Sequence, residues 1–221
     1  MTKPANNNRL DKLLSNSRFW VLSFGLICSL IIYGLVQQFV PAGTLQTIRL
    51  EQTFGFVSLG LLFLALLVTP LTKVFPKLPY KDAYLHSRRA IGVLAFYYAA
   101  LHSVIAFFKQ LQGFTGLKYL GSTYQVSLLA AIVALFILFL MAITSTDWAV
   151  RTLTFKNWKR LQRFVYLASI LILLHVLFIG THYMRHTIYF YATLAVVAVL
   201  VCVEIARVVK RKTHRDGRNI S

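Results

Sequence analysis

The sequence predicts an all-α integral membrane protein built as a six-transmembrane-helix bundle, and three observations predict it. Fifty-seven per cent of the 221 residues are hydrophobic and the mean hydropathy is +0.65, which is too apolar for a soluble domain of this size. Six stretches reach the roughly 20 residues a helix needs to cross a hydrocarbon core: Phe19–Val40, Thr53–Leu71, Ala90–Phe108, Gln125–Ile143, Leu161–Ile179 and Thr187–Val209. The third observation is where the charge falls. Of the 24 Lys and Arg residues, 20 lie in the N-terminal segment, the second and fourth connections and the C-terminal tail, leaving Arg49, Lys109, Lys118 and Arg185 for the other side.

That partition is the positive-inside pattern, and it predicts an even number of spans with both termini cytoplasmic. The formal charge of +18 would otherwise suggest a nucleic-acid partner. Mapped onto the loops it reads as topology and attraction to anionic lipid, with a docking face for an acidic soluble partner as the second reading. The expected division is a cytoplasmic N-terminal segment at 1–18, a transmembrane domain at 19–209 and a basic cytoplasmic tail at 210–221.

The first span is longer than a cleavable signal's apolar core and no small-x-small cleavage site follows it, so a retained helix is expected. Cys28 in this span and Cys202 in the sixth have no metal-ligand spacing and read as small buried hydrophobes. The third span carries His102. The fifth opens among Arg160 and Arg163 and carries His175. In the sixth, Glu204 precedes Arg207 by about one turn and reads as an interfacial ion pair.

The depths of the two histidines are the informative feature. At about 1.5 Å per residue, His102 lies roughly 18 Å along the third span and His175 roughly 21 Å along the fifth. Both spans run outward, so both imidazoles fall in the outer half at nearly one level. One intramembrane histidine reads as a hydrogen-bonding tie between helices. Two on different helices at one depth fit bis-imidazole ligation of a haem iron held between the helices. Zinc commonly takes three or four His, Cys or carboxylate ligands, and this level offers two. His182 and His186 lie four apart and reach only an incomplete metal site, so a solvated loop is expected there. His86 and His214 sit in basic segments and read as solvated or lipid-facing.

The segments "RRAIGVLAFYYAALH" (Arg88 to His102), "TS" (Thr144, Ser145) and "WKRLQRFVYLASILILLH" (Trp158 to His175) resemble the ferric-reductase-like transmembrane family. Within it they are most similar to the haem-binding membrane subunits of periplasmic methionine-sulfoxide reductases. The resemblance covers the second to fifth spans. It implies haem b in the bundle, electrons arriving from a cytoplasmic flavin reductase and leaving to an acceptor outside, and a bacterial cytoplasmic (inner) membrane location. It also implies that His102 and His175 are the outer-haem ligands.

The family's other ligand position, thirteen residues before the late histidine, is normally a histidine, and here it is Gln162. Glutamine is a poor haem ligand beside imidazole, thiolate or thioether, so one haem b is expected. Arg88 lies fourteen residues before His102 and within about 40° of the same helix face, whereas His86 lies about 160° round. Arg88, Arg89, Arg160 and Arg163 are placed to hold propionates, or the phosphate of FMN or FAD, at the cytoplasmic rim; interfacial anchoring explains them equally.

The chain has no G-x-G-x-x-G and no soluble domain to hold a nicotinamide, so the donor must be another protein or a diffusible flavin. The leading expectation is an oxidoreductase subunit that carries electrons to a periplasmic or other extracytoplasmic reductase or a small acceptor. The alternatives are a direct reductase of ferric iron, dioxygen or superoxide, and a haem-free scaffold or transporter.

Overall fold

A computed structural model describes residues 16–179 and 188–216 of the chain, with side chains described at 16–179 and 190–210. These residues form helices joined by turns. They are α1 (Ser17–Phe39), α2 (Thr44–Val74), α3 (Lys81–Ile105), a short α4 (Phe114–Leu117), α5 (Ser122–Ile143), α6 (Asp147–Gln162), α7 (Val165–Ile179) and α8 (Ile188–Asp216). Six stretches of helix are long and apolar enough to cross a membrane. The chain is therefore an all-α, six-span membrane protein, as its sequence predicts.

Three boundaries differ from the hydropathy reading for physical reasons. The second span begins at Thr44 rather than Thr53, because helix continues through Arg49, Glu51 and Gln52 where hydropathy falls. The fifth span is composite. Val165–Ile179 is only 15 residues, about 22 Å at the usual rise, and it reaches membrane length through the Arg163–Phe164 turn from α6. The third span starts at Lys81, and after Ile105 it widens into a π-helical turn at Ala106–Gln110.

Helix ends explain the basic-side connection. Thr144 and Ser145 turn their hydroxyls back to the Leu140 and Met141 carbonyls, the first adding to the Thr144 amide already bonded at Leu140 and the second answering an acceptor near the end of α5. Thr146 then caps α6, accepting from the Ala149 amide at 3.2 Å. A helical interruption at Thr154 (φ 61°, ψ 147°) bends α6.

Small residues bring the helices close, as packing without a hydrophobic driving force requires. Ala95 of α3 and Ala168 of α7 are fully buried and Ala134 of α5 nearly so; they pack with Leu59, Leu62, Phe63 and Leu66 of α2. A second cluster joins Leu50 and Phe54 of α2 to Tyr98 of α3, with Ile32 and Val36 of α1 against it. Tyr98 donates its hydroxyl to the Gly25 carbonyl of α1 at 2.7 Å. Large apolar side chains such as Phe24, Leu30, Phe136 and Ile170 face outward, where lipid rather than water is the solvent. Cys202 faces outward among them and is exposed, which corrects the expectation of burial; Cys28 is half-buried.

Candidate functional site: a paired-histidine centre

His102 comes from α3, one turn before the π-helical segment, and His175 from α7. The bundle brings them together: their ring centroids are 6.3 Å apart, with the ring planes at 76°. Each ring is held by its Nδ1. His102 Nδ1 donates to the Glu51 carbonyl of α2 at 3.0 Å. His175 Nδ1 donates to the Ser127 carbonyl of α5 at 3.2 Å, with Ser127 Oγ at the same distance. Ser127 Oγ in turn donates to the His175 carbonyl at 3.1 Å, and Ser127 is fully buried.

A ring whose Nδ1–H is committed to a carbonyl presents Nε2 as an unprotonated nitrogen, the form in which imidazole binds metal. Both members of the pair have this arrangement. A metal–imidazole bond of about 2 Å on each side of one ion separates two opposed ring centroids by roughly 6 Å, so the spacing and the donor set fit one metal held between the rings. No group of three His, Cys, Asp or Glu side chains comes together among the described residues. A metal here needs the rest of its coordination from something other than the described side chains, which a macrocycle would supply.

Three neighbours of the pair were not singled out from the sequence. Gly55 of α2 packs on His102: a Cβ at this position would lie 3.0 Å from His102 Nδ1. Ser127 is the second. The third is Glu51, whose Oε1 lies 3.7 Å from His102 Nδ1. An ionisable side chain within a span is itself a signal, and Glu51 escapes it only because hydropathy begins the second span at Thr53.

The basic-side residues do not form one cluster. Arg88 turns toward α2 and donates Nε–H to the Ala65 carbonyl at 3.0 Å. Arg89 instead pairs with Asp147 at 2.9 Å and lies over Trp158, 4.7 Å from the ring centroid. Asp147 also receives Arg18, whose hydrogen bond and charge, with those of Arg89, hold its carboxyl below the usual carboxylate range. Trp158 donates its indole N–H to the Thr144 carbonyl. Arg160 and Arg163 are exposed. Gln162 Nε2 donates to the Met141 carbonyl at 3.5 Å, a long contact tying α6 to α5.

His86 is exposed and bonded within its own turn, Nδ1 to the Asp82 carbonyl at 2.6 Å. Glu204 pairs with Arg207 at 2.8 Å, as expected. His182 and His186, with the loop that holds them, lie outside the described residues, as does the side chain of His214.

Fold and centre together define a membrane-spanning helical protein with two imidazoles poised at one level between its helices. The chain belongs to the ferric reductase-like transmembrane family, matching the ferric reductase like transmembrane component over residues 54–173, just over half its length. That match includes His102 and Gln162 and ends two residues before His175.

Among curated proteins it is similar to the protein-methionine-sulfoxide reductase heme-binding subunit MsrQ of Cronobacter sakazakii, 37% identical over 56% of this chain and 60% of that one. The proteins of the same name from Brucella anthropi (33% identical, 53% of this chain, 51% of the other) and Xanthomonas campestris pv. campestris (30%, 58% and 56%) are also similar. In each case the match spans less than two thirds of the relative.

Proposed function

We propose that the chain is a membrane haem b electron-transfer subunit, with His102 and His175 as the axial ligands of a single haem. The observation that carries this is the pair of imidazoles 6.3 Å apart, each with its Nδ1 fixed by a backbone carbonyl. When bound, haem b supplies a one-electron ferric/ferrous couple. The chain's own residues hold, orient and enclose it. α3 and α7 deliver the ligands, Glu51 and Ser127 fix their tautomers and angles, and the apolar bundle keeps water from the iron.

In this reading both termini are cytoplasmic, in a bacterial inner membrane. Electrons arrive from a cytoplasmic flavin or flavoprotein reductase and leave to a reductase or small acceptor on the outer face. The relatives' names point to a methionine-sulfoxide reductase as that acceptor. Arg160 and Arg163, exposed at the basic face, suit the phosphate of a flavin or the acidic surface of its carrier. Arg88 and Arg89 engage Ala65 and Asp147 through one nitrogen each, which leaves further guanidinium N–H groups for a propionate. Gln162 takes no part in ligation.

With both axial positions filled by imidazole, the reduced protein is six-coordinate and has no site for an exogenous ligand. The dithionite-reduced, detergent-purified protein is therefore expected to show a low-spin b-type spectrum that carbon monoxide leaves unchanged. A carbon monoxide complex would reveal an open coordination position and favour direct reduction of dioxygen or ferric iron at the haem.

A further inference from the structure

Glu51 does more than lend a carbonyl. Its carboxyl Oε1 is 3.7 Å from His102 Nδ1, while its Oε2 is buried with no hydrogen-bond partner. The side chain is only 11% exposed. Among the described residues the other acidic side chains are Asp82 and Asp147, in the first turns of α3 and α6, and Glu204, paired with Arg207. Glu51 thus stands apart, at the level of the histidine pair.

A buried carboxyl oxygen with no donor is costly unless the group is protonated or an opposite charge lies close by. The ring of His102 cannot supply that charge while its Nε2 binds metal as a neutral imidazole. The missing charge is accounted for if the iron beyond the ring supplies it. Ferric haem with two neutral axial ligands carries one more positive charge than ferrous haem, and a fixed anion in a low-dielectric site favours the more positive state.

We propose that Glu51 is a positioning residue of the haem site, holding His102 by its backbone carbonyl and biasing the iron toward the ferric state by its carboxylate. The proposal rests on His102 being a haem ligand, as set out above.

Spectroelectrochemical titration of the full-length protein at fixed pH tests it, with Glu51→Gln and Glu51→Asp beside the wild type. Glu51→Gln leaves the backbone carbonyl in place, so haem is expected to be retained. The ferric/ferrous equilibrium is expected to move toward ferrous by about tenfold, a rise of about 59 mV for a one-electron couple. Glu51→Asp keeps the charge and should stay near the wild-type potential.

Loss of haem in Glu51→Gln with retention in Glu51→Asp supports the same role, since the charge is then what the site requires. A wild-type potential in Glu51→Gln, equal shifts in the two variants, or loss of haem from both overturns it. Absence of haem from the wild-type protein removes the parent reading instead, and that is read before any variant is made.

Discussion

Replacing His102 or His175 by alanine is expected to strip the purified protein of nearly all its haem while leaving it in the membrane. In the proposed reading each imidazole would supply one axial bond, and the other nitrogen of each ring is already used as a donor to a helix backbone. No second histidine on α3 or α7 stands near enough to substitute: His86 is on the basic side, exposed, and bonded within its own turn. Insertion should survive, because neither histidine contributes to the apolar length of its span. Pyridine-haemochrome assay of each variant, with membrane fractionation as the control, reads both outcomes. Unchanged haem content in either variant would remove that residue from the site.

A change at Gly55 should be nearly as damaging, although Gly55 has no side chain to offer. Its place on α2 brings the backbone against the His102 ring, and even a methyl group would sit 3.0 Å from Nδ1. That is the nitrogen bonded to the Glu51 carbonyl, one turn earlier on the same helix. The ring can retreat only by lengthening that bond and leaving its alignment with His175. Gly55→Val is therefore expected to weaken haem retention by about 10–100-fold, the range seen when the groups supporting a metal ligand are disturbed. Gly60, on the same helix with open space where its Cβ would be, provides the control: Gly60→Ala should keep its haem. Equal retention by Gly55→Val and the wild type would show that the close approach of α2 is not needed to set His102.

The parts of this architecture written in hydropathy were legible in the sequence, and those written in contact were not. The six spans and the common level of His102 and His175 follow from counting residues along a helix, because apolar length and axial rise are local properties. Ser127 and Gly55 matter only through what packs against them, and a serine or glycine in a membrane helix is too common to carry a signal. Glu51 was obscured differently. Arg49, Glu51 and Gln52 depress the local hydropathy, so the apolar run seems to begin after them while the helix itself begins at Thr44.

The four basic-face arginines show the reverse case. Their residue type suggested propionate or flavin-phosphate contacts, with interfacial anchoring as the equal alternative; which neighbour each meets was not legible, since Arg88 and Arg89, adjacent in sequence, point to different helices because successive residues on a helix are about 100° apart.

The measurement that tests the central claim most directly is the haem-to-polypeptide ratio of the wild-type protein, purified in mild detergent after expression with ample haem. Among the described residues the bundle brings one histidine pair together, His102 and His175, the proposed ligands. At the inner position the amide of Gln162 reaches toward the Met141 carbonyl, and amides are weak ligands for haem iron. The ratio should therefore be about one, with the low-spin spectrum of two imidazole ligands. A protein that purifies folded and without haem would contradict the assignment of the histidine pair, and about two haems per chain would contradict the claim that this pair is the chain's single haem site.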